Sequence, residues 1–82
     1  MRKAKDVLKT IVTALVEFPD QIQIEDKTDD MGVLLTLRVS KTDMGRVIGQ
    51  KGGTAQALRV ILRSIGMSEN ARICLKVEEP NE

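Results

Sequence analysis

Between residues 4 and 18 the apolar side chains Val7, Leu8, Ile11, Val12, Leu15 and Val16 fall at steps of one, three and four, which puts them on one stripe of a helix. Pro19 is expected to stop that helix, because proline has no N–H and disfavours helical geometry in the residue before it. The period then changes to two. Ile22 and Ile24 alternate with polar neighbours in 21–25, and Val33, Leu35, Leu37 and Val39 do the same further on, so two strands are expected. Between them Asp26 to Gly32 carries three aspartates and a glycine, turn chemistry that predicts a mobile hairpin loop longer than the tightest type.

Met44 to Ile48 is a short apolar stretch that Thr42 or Asp43 could cap, and Gly49-Gln50-Lys51-Gly52-Gly53 interrupts it. From Thr54 the helical period returns in Ala55, Leu58, Ile61, Leu62 and Ile65, with Gly66 or Asn70 as the stop. Ala71, Ile73, Leu75 and Val77 then alternate in a closing strand. The order α-β-β-α-α-β predicts an α+β domain, three strands with helices packed on one face, its core over 4–78 and a polar tail at 79–82.

Composition narrows the chemistry. A chain of 82 residues has room for one modest core. With no His, one Cys and Phe18 as its one aromatic residue, it offers no imidazole base, disulfide framework or zinc site, and no aromatic platform for stacking unpaired bases. No catalytic residue, metal ligand or cofactor is expected. Asp26, Asp29 and Asp30 lack the spacing of a calcium loop, Cys74 has no His or second Cys to activate it, and Met44 and Met67 read as fillers of gaps in the core. Asp6 and Lys9 break up the start of the chain too early for a secretion signal, and no apolar run approaches the roughly 20 residues of a membrane span. A cytoplasmic protein without membrane contact is the expectation.

The net charge of +1 hides an uneven distribution. Six of the 13 basic residues, Arg38, Lys41, Arg46, Lys51, Arg59 and Arg63, lie between positions 38 and 63 with Asp43 as the only acid. Positive charge is thus gathered around the glycine-rich stretch, where a phosphate backbone would be attracted, although such cations also suit a solvated helix face.

Glycines at 49 and 52 admit positive φ and close backbone approach, and the helix that follows offers free N–H groups to phosphate oxygens. A Walker A loop needs GxxxxGK[ST], but here Lys51 precedes Gly52 and no Ser or Thr follows it. A dinucleotide fingerprint needs GxGxxG after a strand, which this chain lacks. GxxG between two helices, a clamp on single-stranded nucleic acid, fits both motif and context.

The string Met44-Gly45-Arg46-Val47-Ile48-Gly49-Gln50-Lys51-Gly52-Gly53, continued by Ala57-Leu58-Arg59, closely resembles a KH domain, and the element order matches the type II (prokaryotic) topology. From about residue 4 to 78 the chain is similar to the KhpA family of small bacterial RNA-binding proteins. That resemblance implies a non-enzymatic RNA chaperone or post-transcriptional regulator, acting as a homodimer or with a second KH protein of the KhpB type. It further implies that Gly49, Gln50, Lys51 and Gly52 grip the sugar-phosphate backbone of single-stranded RNA. Val47 and Ile48 would line an apolar groove under the bases, with Arg46, Arg59 and Lys41 at its flanks. Gly53 departs from the family, whose members often carry Arg or Lys there, so a phosphate contact is expected to be missing. The competing expectation is a dimerisation subunit whose RNA binding is weak or depends on its partner.

Overall fold

The computed structural model describes residues 2–78; the polar tail expected at 79–82 lies outside them. Helix α1 (Arg2–Leu15) is followed by a 3-10 turn at Pro19–Gln21, then by strands β1 (Gln23–Asp29) and β2 (Gly32–Arg38). A second 3-10 turn at Lys41–Asp43 leads into the short helix α2 (Met44–Ile48). A third turn at Gln50–Gly52 leads into α3 (Gly53–Ser68), and β3 (Ile73–Glu78) completes the order.

The sheet runs β1-β2-β3, antiparallel in its first pair and parallel in its second. Val33, Leu35, Leu37 and Val39 all face inward, where they meet Ala4, Leu8 and Val12 of α1, Val47 of α2, and Leu58 and Leu62 of α3. All three helices therefore cover one sheet face, the α+β arrangement that the alternating periods predict. Burying an aliphatic side chain of this size contributes about 1.5–3 kcal/mol, so these few residues supply most of the cohesion of a small domain.

Helix α1 ends at Leu15, three residues short of the expected position. Pro19 has no N–H to donate to the Leu15 carbonyl four residues back, and a buried tether acts beside it. The carboxylate of Asp43 accepts hydrogen bonds from the backbone amides of Glu17 at 2.9 Å and Phe18 at 3.0 Å, which draws the chain out of its helical path. Asp43 is therefore a fully buried tether between two segments rather than a cap for α2. The capping side chain in this region is Ser40, whose hydroxyl accepts from the amide of Asp43.

The hairpin also differs from expectation. β1 continues to Asp29, which pairs with Gly32, so Asp30 and Met31 alone form the turn. Antiparallel pairing with β2 satisfies the polar backbone of 26–29 whatever the side chains are, and the Asp29 carboxylate accepts from the Met31 amide to close the corner. Asp26 and Asp29 thus lie on an exposed edge strand.

Helix α3 passes through Gly66, where a Cβ would collide with the Ala71 carbonyl and press on Ile73. The helix ends instead before Asn70, which takes φ +55°. Gly66 is a point of close approach between α3 and the start of β3, not a stop signal.

On the uncovered sheet face Arg38 is gripped by Glu25 from β1 and by Glu78 from β3, the latter at 3.0 Å, while Lys76 meets Glu78 at 3.0 Å. The hydrogen bond to Glu25 raises the Arg38 guanidinium above its ordinary range despite burial, and the bond to Lys76, with help from Arg38, lowers the Glu78 carboxyl. Among the described residues no helix is long and apolar enough to cross a membrane, and no three His, Cys, Asp or Glu side chains converge to hold a metal.

Candidate nucleic-acid interface

Helix α2 stops because Gly49 takes φ +76°, with its amide still donating to the Gly45 carbonyl at 2.9 Å. The next turn is tight. Gly52 donates to the Gly49 carbonyl at 3.1 Å, and Lys51 and Gly52 both adopt left-handed geometry, φ +56° and +74°. A left-handed conformation costs a non-glycine residue about 1–2 kcal/mol, so Lys51 is held there by its neighbours. The result is a backbone that doubles back onto the first turn of α3. At Gly49 the approach is closest: a Cβ would sit 2.7 Å from the Thr54 amide nitrogen and overlap the Thr54 side chain. Gly49 is needed for both its φ and its proximity, whereas Gly52 faces open space and is needed for φ alone.

Gln50 and Lys51 stand exposed at the apex of this turn, and the N–H groups that open a helical turn have no acceptor within it. The positive end of α3 lies directly behind them. Gly53 is the first residue of α3, with ordinary helical φ and ψ of −62° and −42° and empty space where a side chain would begin.

The residues singled out from sequence separate into groups. Gly49, Gln50, Lys51, Gly52 and Gly53 form the turn, and Ile48, 39% exposed, leads directly into it. Val47 does not belong with them. It is fully enclosed in the core, because its place in the helical repeat of α2 turns it toward the sheet, and it offers no surface to a ligand. Lys41 is exposed in the turn before α2, with no ion pair among the described residues. Arg46 leans on Asp43 at 3.5 Å and reaches Glu17 at 4.0 Å, so part of its field is already spent within the chain. The burial of Asp43 by itself would raise its carboxyl. The amides of Glu17 and Phe18, the Ser40 hydroxyl and Arg46 together hold it below the usual carboxylate range.

Arg59 is half-buried, its Nε donating to the Leu75 carbonyl at 3.4 Å. Arg38 does not contribute to the positive cluster that the sequence suggests, being occupied on the opposite sheet face. Two further side chains differ from the sequence expectation. Met67 is 73% exposed rather than a core filler, and Ile61, counted in the apolar stripe of α3, faces outward. Met44 does pack against the core, and Cys74 lies exposed on β3.

A domain of order αββααβ, whose second and third helices are joined by a GxxG turn, is a KH domain of type II. The sequence model described as KhpA/KhpB, KH domain, matches residues 5–77. Among curated proteins, the RNA-binding protein KhpA of Clostridium acetobutylicum is 36% identical over 73 residues, covering 89% of this chain and 97% of its own. The RNA-binding protein KhpA of Lactiplantibacillus plantarum is 37% identical over 79 residues, covering 96% and 93%. Among solved structures, a crystal structure of an Aquifex aeolicus Era variant bound to GDP and aluminium fluoride aligns with a TM-score of 0.61 at 17% identity. That alignment takes in 93% of this chain but 29% of the Era chain, a likeness of fold alone. The chain belongs to the KhpA/KhpB KH-domain family.

Proposed function

We propose that the protein binds single-stranded RNA without catalysing a reaction, as an RNA chaperone or post-transcriptional regulator in the cytoplasm. The turn Gly49-Gln50-Lys51-Gly52 grips the phosphate backbone, Ile48 contacts the bases beside it, and Lys41, Arg46 and Arg59 flank the path. The observation that carries this reading is the turn itself. A strained, left-handed Lys51 and an exposed Gln50 are presented at the positive end of α3 in a member of a family whose named relatives are RNA-binding proteins. Phosphate oxygens match what such a turn offers, namely N–H donors, a lysine charge and a helix dipole. Without an aromatic platform a single domain binds weakly and with modest sequence preference, and a KhpB-type partner or a second copy adds avidity.

The test is fluorescence anisotropy with a fluorescein-labelled single-stranded RNA at two salt concentrations, comparing the native chain with Gln50→Asp/Lys51→Asp. Both positions are exposed, and aspartate tolerates the left-handed region, so the circular dichroism spectrum is expected to be unchanged. Salt-sensitive binding that disappears in the variant supports the grip, and equal binding by the two proteins refutes it.

A second reading, self-association, is favoured by the outer face of α3. Ala57, Val60, Ile61, Ser64 and Met67 recur there at helical spacing, uncharged and exposed, with Val60 49% and Ile61 40% accessible. An uncharged stripe on a surface helix is suited to burial against a second copy.

A further inference from the structure

Helix α2 carries Arg46 about one turn before Gly49, so the guanidinium stands beside the approach to the GxxG turn. Its side chain is 57% exposed, yet it is not at the free disposal of a ligand. One edge of the planar group, formed by Nε and Nη2, is turned to two carboxylates: Nε lies 3.5 Å from Asp43 and Nη2 lies 4.0 Å from Glu17. Nη1, at the remaining corner, has no acid within ion-pair distance among the described residues.

The two acids differ in kind. Asp43 is fully buried, and its oxygens already accept from the amides of Glu17 and Phe18 and from the Ser40 hydroxyl, so no ligand takes its place. Glu17 is as exposed as Arg46, and its carboxylate has no second partner among the described residues. Its placement is nevertheless fixed. The Glu17 amide donates to Asp43 Oδ1 at 2.9 Å, just past the end of α1, and this bond holds the main chain from which the carboxylate reaches Arg46. The same Oδ1 is the atom that draws Arg46 Nε, so one buried oxygen brings the exposed acid and the exposed base together.

We propose that Glu17 is a built-in competitor for the RNA backbone, holding Arg46 in the free chain until a phosphate displaces it. This rests on the RNA-binding reading above and specifies how the affinity of that same surface is set. A phosphodiester taken by the two terminal nitrogens of Arg46 draws Nη2 away from Glu17, while the contact of Nε with Asp43 persists and keeps the guanidinium plane oriented. The exchange trades one anion for another, so Arg46 adds little to the grip as long as Glu17 is charged. Removing that charge releases the guanidinium to RNA, and the gain shrinks as salt rises, because exposed pairs of this kind are screened.

The experiment is a double-mutant cycle on the dissociation constant of fluorescein-labelled octauridylate, read by anisotropy at low and high salt. It uses the native chain, Glu17→Gln, Arg46→Gln and the double variant, with Asp20→Asn as the control for net charge. Asp20 is an exposed acid three positions further on, with no ion pair among the described residues. The substitutions fall on exposed side chains, and the Glu17 group that Asp43 holds is main chain, so the fold is kept. Glu17→Gln is expected to tighten binding about threefold at low salt, less at high salt, and to have no effect once Arg46 is glutamine. Asp20→Asn is expected to have a smaller effect that is the same with either residue at 46. Tightening by Glu17→Gln that persists without Arg46, or that Asp20→Asn matches, is an effect of net charge and overturns the proposal while leaving the RNA-binding reading intact. Unchanged binding by Glu17→Gln does the same. Failure of the native chain and every variant to bind overturns the RNA-binding reading and the competitor together.

Discussion

Asp43, fully buried, holds the amide of Phe18 at 3.0 Å, and this one carboxylate joins the end of α1 to the beginning of α2. Its second oxygen takes the Glu17 amide at 2.9 Å, while the Ser40 hydroxyl shares the oxygen bonded to Phe18. The GxxG turn hangs from the other end of α2, so the tether sets where the turn stands relative to the sheet. Asp43→Ala is expected to lower the melting temperature by on the order of 10 °C, since it leaves partly buried amides without their acceptor and breaks the tether in a domain this small. Thermal unfolding followed by circular dichroism measures it.

The pH dependence has a defined sign. The Asp43 carboxyl titrates lower in the folded chain than in the unfolded one, so its stabilisation is complete above the ordinary aspartate value of about 3.9 and fades as pH falls through the folded value. Asp43→Asn is expected to flatten the acid limb of the stability profile below about pH 4 while lowering stability near neutrality. A limb as steep as that of the native chain would refute the assignment.

The two ends of the GxxG motif are not equivalent. Gly49→Ala drives a Cβ into Thr54 and is expected to disorder the turn and reduce stability, whereas Gly52→Ala meets no neighbour and bears only left-handed strain of about 1–2 kcal/mol. Thermal melts of the two single variants should rank Gly49→Ala as the more damaging.

Gly53 is open to replacement. Its backbone is helical and nothing lies where a side chain would begin, so Gly53→Arg is expected to fold normally and bind single-stranded RNA severalfold more tightly at low salt. One added phosphate contact steepens the slope of log affinity against log salt by about 0.7. Titrations at several salt concentrations read both quantities, and an unchanged slope would mean that no new contact is made.

The outer stripe of α3 makes a separate prediction. Val60→Asp/Ile61→Asp places charge on an exposed face and is expected to leave the melting curve of the monomer near its native position while abolishing dimers in sedimentation equilibrium. A native chain that is already monomeric at high concentration would remove the self-association reading.

The fold was largely legible because its signals are periodic. Leu35, Leu37 and Val39 announce an inward sheet face, and Leu8 and Val12 a helix stripe, without reference to any distant residue. The turn was legible because GxxG is local and short. Asp43 was not, because its partners Glu17 and Phe18 lie 26 and 25 positions away, and nothing in the chain marks a charged residue as destined for the core. Val47 and Ile61 failed for a related reason. Neighbours in an apolar run look alike in sequence, and tertiary packing alone decides which of Val47 and Ile48, or of Ile61 and Leu62, turns inward. Arg38 illustrates the same limit for charge. A basic residue in a basic segment is spent on Glu25 and Glu78, acids that only sheet register brings beside it.

The parallel pairing of β2 with β3 has a consequence for how the protein is made. Val33 meets Ile73 across 40 positions, so the sheet cannot close until the whole crossover containing the turn has been synthesised. Ser68, the last residue of α3, precedes Glu78 by 10 residues, an interval of about 0.5–2 s at ordinary translation rates of about 5–20 residues per second. For that time the turn and its helix exist without the strand that completes the sheet. A nascent chain therefore holds its glycine turn before the last strand of its sheet has docked.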